Sequence, residues 1–233
     1  VQAFGWGHWR LTPGQATVIV CPATLKPHWQ RECKNHFGRA AVILDGRKPD
    51  RAVLQVPWPR PVFIINYDIL GGRQLAHTWA EYLQQECAVG LVIVDECQRI
   101  SSPSNQCTKA VRHLIQGVPH LIGISGTPMV NQPTELWSIL NMIDPDEFPS
   151  FRRFAMSYSR PEFTPWGVKY KGARNLKKLH KKLKKNYMVR RLKSEVLTQL
   201  PPKQRTFIPV QLSKKDWQTY QTVEQDFVRW MER

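Results

Sequence analysis

Five short apolar runs, rich in β-branched residues, recur along the first 125 residues of the chain. They are TVIVC (17–21), AVIL (41–44), VFIIN (62–66), LVIVD (91–95) and LIGIS (121–125). Segments with helical character separate them, at 25–37, 73–87 and 104–116, the last preceded by Ser102 as a predicted N-cap and Pro103 in the first turn. This alternation predicts an α/β fold, in which a parallel sheet is sandwiched by helices on both faces.

Two adjacent acids, Asp95 and Glu96, follow the fourth apolar run directly in LVIVDECQ. A run of this composition is typical of a strand that is buried on both faces. In an open α/β sheet, the carboxyl end of such a strand faces the crevice in which ligands bind. The acids are therefore candidates for a ligand site, with capping of the next segment as the alternative.

The net charge of +16, from 34 Lys and Arg against 18 Asp and Glu, favours an acidic polymer as partner, and nucleic acid before a membrane surface. No apolar run approaches the roughly 20 residues that span a bilayer, and the start of the chain does not resemble a signal peptide. The five cysteines form no CxxC pair, which argues against zinc and for reduced thiols. We expect an intracellular protein, in nucleus or cytoplasm, with no membrane partner.

The character of the chain changes after residue 145, which predicts one region at 1–145 and a second at 146–233. A segment rich in aromatic residues and proline (148–170) precedes the most basic stretch, 175–193. There, four apolar side chains share one helix face among the eight Lys and Arg that precede Lys193: Leu176, Leu179, Leu183 and Tyr187. This predicts a basic helical protrusion, with a solvated helix face as the alternative. RTFIPV (205–210) predicts a further strand, and a final helix is expected to open at Ser213.

The fifth apolar run leads into SGTP, where Gly126 and two small hydroxyl residues, Ser125 and Thr127, suit a loop that approaches a phosphate. Together with PATLKPHW, NYDIL and VDECQ, this loop closely resembles the first RecA-like lobe of the Swi/Snf-type DNA-dependent ATPases of helicase superfamily two. VIVCPATLKPHWQRE resembles motif Ia of that family, FIINYDIL motif Ib, VDECQ motif II and ISGTPMVNQPTELWSILNMI motif III. YMVRRLKSEVLTQLPPKQR is similar to the segment after the lobe, and it leans toward the HepA-related annealing-helicase branch.

The resemblance implies ATP and Mg²⁺ as cofactors. Asp95 would hold the metal ion, and Glu96 would orient or deprotonate the water that attacks the γ-phosphate. Gln98 stands where the family more often has His. Because Gln both donates and accepts hydrogen bonds, coupling of Gln98 to Ser125 and Thr127 is expected.

The resemblance also implies double-stranded DNA as partner, held through its phosphate backbone. Four residues on strand-to-helix loops would meet one DNA strand: Thr24, Lys26, Asn66 and Tyr67. The alternatives are that Thr24 caps its helix and that Tyr67 packs. Arg190 and Arg191, with Lys193 nearby, have three possible roles: binding DNA, docking a second lobe, or remaining solvated.

An ATPase of this kind should carry GxxxxGK[ST], and no such run occurs in the sequence. Val1, Gln2 and Ala3 resemble the residues that follow this phosphate loop in the family. We therefore expect the chain to begin just after its phosphate loop and to lack the second RecA-like lobe beyond Arg233. Two other functions stay open: a lobe of another superfamily-two RNA or DNA helicase, against which SGTP and RRLKSEVLTQLPPK count, and a non-catalytic basic module that only binds nucleic acid.

Overall fold

Five parallel strands form the central sheet of the structure, a computed structural model that describes residues 1–71, 77–165, 167–196, 199, 204–208 and 211–231. The strands are β1 (Gln15–Cys21), β2 (Val42–Ile43), β3 (Val62–Asn66), β4 (Ala88–Asp95) and β5 (His120–Ile124). Their order across the sheet is β2-β3-β1-β4-β5. All five predicted strands are present, and the predicted parallel sheet is confirmed.

Helices cover both faces of this sheet, as predicted. They are α1 (Gln2–His8), α2 (Lys26–Phe37), α3 (Tyr67–Leu70), α4 (Trp79–Glu86), α5 (Gln106–Leu114) and α6 (Trp137–Ile143). Alternate strand residues point to opposite faces. Val18 and Val92 accordingly pack with residues of α3 to α6, whereas Ile19 and Ile93 pack with residues of α1 and α2. Helix α2 ends at Phe37 and is followed by Gly38 as C-cap, whose φ of 59° is the left-handed conformation that glycine adopts readily.

Two predicted helix boundaries differ from the structure. Helix α5 begins at Gln106 with Asn105 as N-cap, so the predicted start at Ser102 and Pro103 was wrong. Ser102 lies in a turn instead, with its hydroxyl 3.0 Å from that of Ser104. Helix α4 begins at Trp79, where the Thr78 hydroxyl caps it; residues 72–76 of the predicted 73–87 segment lie outside the described residues.

A third apolar cluster joins α6 to two further helices, α7 (Phe151–Tyr158) and α8 (Leu176–Asn186). Between them lies an antiparallel hairpin of β6 (Arg160–Thr164) and β7 (Gly167–Lys171), which the sequence analysis did not predict. The predicted basic helix is α8. Leu179 and Leu183 are buried in the cluster, while Leu176 is exposed.

The chain divides into two compact units, Val1–Met188 and Val189–Arg233. The second contains α9 (Lys193–Val196) and α10 (Lys214–Met231), and α10 confirms the final helix predicted from Ser213. Residues 205–208 of the predicted strand at 205–210 form no strand, and residues 209–210 lie outside the described part of the chain. Across the described ranges, no helix combines the length and apolar character needed to cross a membrane.

Candidate functional site

The sheet brings the acid pair next to the SGTP loop. Strands β4 and β5 are parallel neighbours, and Asp95 pairs in register with Ile124, the last residue of β5. Because both strands end at the same edge, Ser125 emerges beside Asp95 and Glu96. The predicted ligand site therefore lies at the carboxyl edge of two adjacent strands, where open α/β sheets bind ligands.

Glu96 has a left-handed backbone, with φ 53° and ψ 52°, between the end of β4 and a 3-10 turn at Cys97–Ile100. This conformation is unfavourable for a residue with a side chain. The backbone N–H of Glu96 donates to Oδ1 of Asp95 at 3.0 Å. The chain thus leaves the strand direction at Glu96, and both half-buried carboxylates lie at the end of β4.

A chain of hydrogen bonds connects Glu96 to the loop after β5. Nε2 of Gln98 donates to Oε2 of Glu96 at 2.6 Å, and the Ser125 hydroxyl donates to Oε1 of Gln98 at 2.6 Å. The backbone N–H of Thr127 donates to the Ser125 hydroxyl at 3.0 Å. The amide of Gln98 uses both its donor and its acceptor, so the geometry for the expected coupling to Ser125 and Thr127 is present.

Asp95 is also held by two aromatic residues. The indole Nε1 of Trp29, on α2, donates to Oδ2 of Asp95 at 2.8 Å, and the Tyr67 hydroxyl, on α3, donates to the Asp95 carbonyl oxygen. Burial raises the pKa of Tyr67, so its hydroxyl keeps the proton that it donates. The sequence analysis missed Trp29 as a site residue. The only indication in the sequence was the tryptophan of PATLKPHW. A tryptophan that becomes buried normally finds a hydrogen-bond acceptor for its indole N–H.

Two thiols lie near the acids without taking part in their chemistry. Burial, reinforced by the charge of Asp95, raises the pKa of Cys21 to about 12, and burial raises that of Cys97 to about 11. Both thiols are therefore neutral at physiological pH, and the thiolate is the form that reacts or binds metal. Cys97 instead packs against Gly123 of β5. The contact is so close that a Cβ atom on Gly123 would lie only 3.2 Å from the Cys97 sulfur.

The four predicted DNA-contacting residues differ in exposure. Thr24 is exposed and no side-chain cap of α2 is formed, so the capping alternative finds no support. Asn66 is buried, and its Nδ2 donates to Asp68 at 3.3 Å. Tyr67 is 2% exposed and belongs to the core, as its packing alternative proposed, with the exposed Arg99 guanidinium 5.3 Å from its ring centroid.

Lys26 is bonded within the fold. Its side chain is buried, and its ammonium donates to the Leu44 carbonyl oxygen at 3.1 Å and forms an ion pair with Asp45. These contacts tie the start of α2 to the end of β2. We therefore leave Lys26 outside the DNA surface proposed below.

Arg190 and Arg191 are exposed and lie in the second unit, Val189–Arg233. Lys193 begins α9, and its side chain lies outside the described part of the chain. The exposure of both guanidinium groups is compatible with each of the three roles considered from the sequence. Their assignment to DNA stays a prediction.

Comparison with known proteins places this chain in a family. The family described as SNF2-related domain matches residues 8–232. The SWI/SNF-related matrix-associated actin-dependent regulator of chromatin subfamily A-like protein 1 of Xenopus tropicalis is 33% identical over 200 residues, which cover 83% of this chain and 19% of that protein. The DNA annealing helicase and endonuclease ZRANB3 of Bos taurus is 36% identical over 202 residues, covering 84% and 18%.

A solved structure, the Sulfolobus solfataricus SWI2/SNF2 ATPase core in complex with dsDNA, aligns with a TM-score of 0.51 and 21% identity, covering 66% of this chain and 30% of that one. At this identity the likeness concerns the fold. The chain spans about a fifth of the length of these curated relatives. Because the family match extends over nearly the whole sequence, it favours the Swi/Snf-type interpretation over another superfamily-two branch. The chain belongs to the family of SNF2-related domains.

Proposed function

We propose that this chain is the first RecA-like lobe of an ATP-dependent double-stranded DNA translocase. The observation that carries the proposal is the hydrogen-bonded chain from Glu96 through Gln98 to Ser125, at the carboxyl ends of two neighbouring parallel strands. Such a chain connects a carboxylate that can act on water with a loop that can approach a phosphate. The family membership supports the same reaction class, hydrolysis of ATP.

The residues at this edge fit ATP with Mg²⁺. Asp95 is half-buried, and each carboxylate oxygen accepts one described hydrogen bond, which leaves further lone pairs for a cation. Magnesium keeps several waters and is commonly bound by one or two carboxylates together with substrate phosphates. Asp95 would hold the ion, which when bound neutralises phosphate charge. Ser125 and Thr127 would face the phosphates.

Glu96 would act on the attacking water. Its carboxylate already accepts a hydrogen bond from Gln98, which fixes one oxygen and leaves the other for water. A carboxylate in hydrogen-bond reach of water can orient it and accept its proton. Gln98 and Ser125 would then connect the position of Glu96 to the phosphate-facing loop.

Double-stranded DNA is the proposed partner. The Sulfolobus ATPase core was solved in complex with dsDNA, and one relative is named a DNA annealing helicase; we carry this chemistry to the present chain. Thr24 offers an exposed hydroxyl on the loop after β1, and Arg190 and Arg191 offer exposed guanidinium groups in the second unit. Such donors suit phosphate oxygens, which carry no sequence information.

The proposed organisation is a helicase core at 1–145, followed at 146–233 by the remainder of the lobe with its basic protrusion, leading toward a second RecA-like lobe in a longer protein. An intracellular location, in the nucleus for a chromatin-associated protein, agrees with the name of the Xenopus relative. The annealing-helicase branch is proposed because the sequence YMVRRLKSEVLTQLPPKQR is similar to the segment that follows the lobe in that branch.

The test is Glu96→Gln in the intact natural protein that carries this lobe. Gln keeps the size of Glu but cannot accept the proton, so DNA-stimulated ATP hydrolysis should fall to background while ATP binding remains. Glu162→Gln is the matched control, because Glu162 is an exposed hairpin residue whose carboxylate pairs with Lys171 at 2.8 Å. Hydrolysis by Glu96→Gln at the rate of the control would remove Glu96 from the reaction.

A further inference from the structure

Helix α8 has two opposite faces of different chemistry. Leu179 and Leu183 are buried in the third apolar cluster. With 3.6 residues per turn, the centre of the arc that holds five of its lysines lies about 180° from these leucines, and the arc is about 120° wide. The five lysines are Lys177, Lys178, Lys181, Lys184 and Lys185, and all are exposed.

The sixth lysine of α8 has a different role. Lys182 forms an ion pair with Glu147, and its ammonium lies 4.7 Å from the ring centroid of Phe148. Just past the helix, the Tyr187 hydroxyl donates to Oδ2 of Asp144 at 2.8 Å. These contacts, with the two buried leucines, hold α8 in a fixed orientation on α6 and α7. The five-lysine face is therefore presented on a packed helix.

The five-lysine face is unfavourable for the helix itself. Helix α8 contains no acidic residue, so it lacks the Glu–Lys pairs that stabilise exposed helices. Lys177 and Lys178 lie in the first turn, at the positive end of the helix dipole, and Asn175 provides no side-chain cap. Lys177 and Lys185 each lie four residues from Lys181, so like charges are neighbours. No ion pair of these five lysines is found among the described residues.

A polyanion would relieve this repulsion. Lys177 and Lys185 are separated by about 12 Å along the helix axis. Double-stranded DNA carries one phosphate per about 3.4 Å of each strand, so the face can meet several phosphates at once. Ammonium groups on flexible stems suit this target, because each binds phosphate as a point charge.

We propose that the five-lysine face of α8 is a second DNA-binding surface, which binds the phosphate backbone without regard to sequence. That DNA is the polyanion bound by this face rests on the proposed function. It differs from the predicted loop contacts because α8 packs on α6 and α7 and takes no part in the central sheet. The translocase would then hold DNA at the sheet edge and also on the protrusion.

The test compares two triple variants of the intact natural protein, each lowering the charge by three. One is Lys177→Gln/Lys181→Gln/Lys184→Gln. The control changes three exposed cations on α2 and α5: Arg31→Gln/Lys34→Gln/Lys109→Gln. Binding to a mixed-sequence duplex of several helical turns is measured by fluorescence anisotropy across a salt series, without nucleotide.

We expect the α8 variant to lower the slope of log affinity against log salt by about 2.7 units, since each of the three lost phosphate contacts removes about 0.9. The control should keep the wild-type slope. A charge-preserving variant, Lys177→Arg/Lys181→Arg/Lys184→Arg, should also keep it, which separates lost charge from a disturbed helix. Equal slopes for the α8 and control variants would overturn the proposal and leave the face for an acidic protein segment.

Thermal unfolding without DNA gives an independent readout. Removing like charges should raise the melting temperature of the α8 glutamine variant at low salt, and the gain should vanish at high salt. A lower melting temperature at every salt concentration would contradict the repulsion that motivates the proposal. Since DNA binding is measured without ATP, a negative result here is distinguishable from a negative result of the Glu96→Gln test, which would be hydrolysis at the rate of its control.

Discussion

The hydrogen bond from Trp29 to Asp95 makes a quantitative prediction about stability. Trp29→Phe removes the indole N–H that donates to Oδ2 of Asp95 at 2.8 Å. A hydrogen bond to a charged group contributes about 1.5–3 kcal/mol, and the lower end applies because Asp95 is half-buried and water can replace part of the bond. We expect Trp29→Phe to lower the free energy of unfolding by about 2 kcal/mol, including the smaller ring.

A double-mutant cycle separates the bond from the change of ring. Combining Trp29→Phe with Asp95→Asn should give a coupling energy of about 1 kcal/mol, because Asn leaves only a neutral acceptor. Trp79→Phe is the matched control: Trp79 is also buried, but its indole donates to the Gly46 carbonyl oxygen at 2.8 Å. Its cycle with Asp95→Asn should be additive.

The measurement is urea denaturation followed by far-UV circular dichroism, which does not depend on the substituted fluorophore. The reasoning is refuted if the Trp29 cycle shows no more coupling than the Trp79 cycle. In that event Asp95 would be placed by the backbone of β4 alone. A confirmed coupling would identify α2 as an element that positions the proposed metal-binding carboxylate.

Three further predictions concern the same unit. Glu96→Gly should be more stable than Glu96→Ala by about 1 kcal/mol in urea denaturation, because only glycine relieves the left-handed backbone at φ 53°; equal stabilities would argue against strain. Burial, with nearby guanidinium groups, lowers the pKa of His8 from 6.5 to about 4, so stability present above pH 6.5 should be lost as pH falls toward 4. His8→Phe should flatten that part of the pH profile, and an unchanged slope would contradict this origin. Lys26→Met should lower the free energy of unfolding by about 1 kcal/mol while leaving the salt slope of DNA binding unchanged, because the ammonium is bonded to Leu44 and Asp45; a slope lowered by about one unit would return Lys26 to the DNA surface.

The composition of the strands made the sheet predictable, because short apolar runs rich in β-branched residues are typical of strands in a parallel sheet that is buried on both faces. The same reasoning failed for RTFIPV. Phe207 and Ile208 are 93% and 79% exposed, and 204–208 pairs with no strand in the described part of the chain. A β-prone composition becomes a strand only where a partner offers hydrogen bonds and packing, and local sequence does not specify that partner.

The site was predictable in its acids and less so in its surroundings. Asp95, Glu96 and Ser125 follow strands directly, so strand prediction alone brings them to one edge. Burial of Lys26 and Tyr67 depends on which way the first turn of each following helix points its side chains, which residue type does not reveal. The role of Trp29 depends on how α2 packs over β4, a contact between segments 66 residues apart.

The hydrogen-bonded chain from Thr127 to Glu96 has a direction. Thr127 donates to Ser125, Ser125 to Gln98, and Gln98 to Glu96, so every hydrogen points toward the carboxylate. Bonds aligned in this way polarise one another, and each strengthens the next. The chain therefore behaves as one cooperative unit whose far end lies in the backbone of the SGTP loop. A small displacement of that backbone would weaken the bond to Glu96 without any group between them gaining or losing a proton.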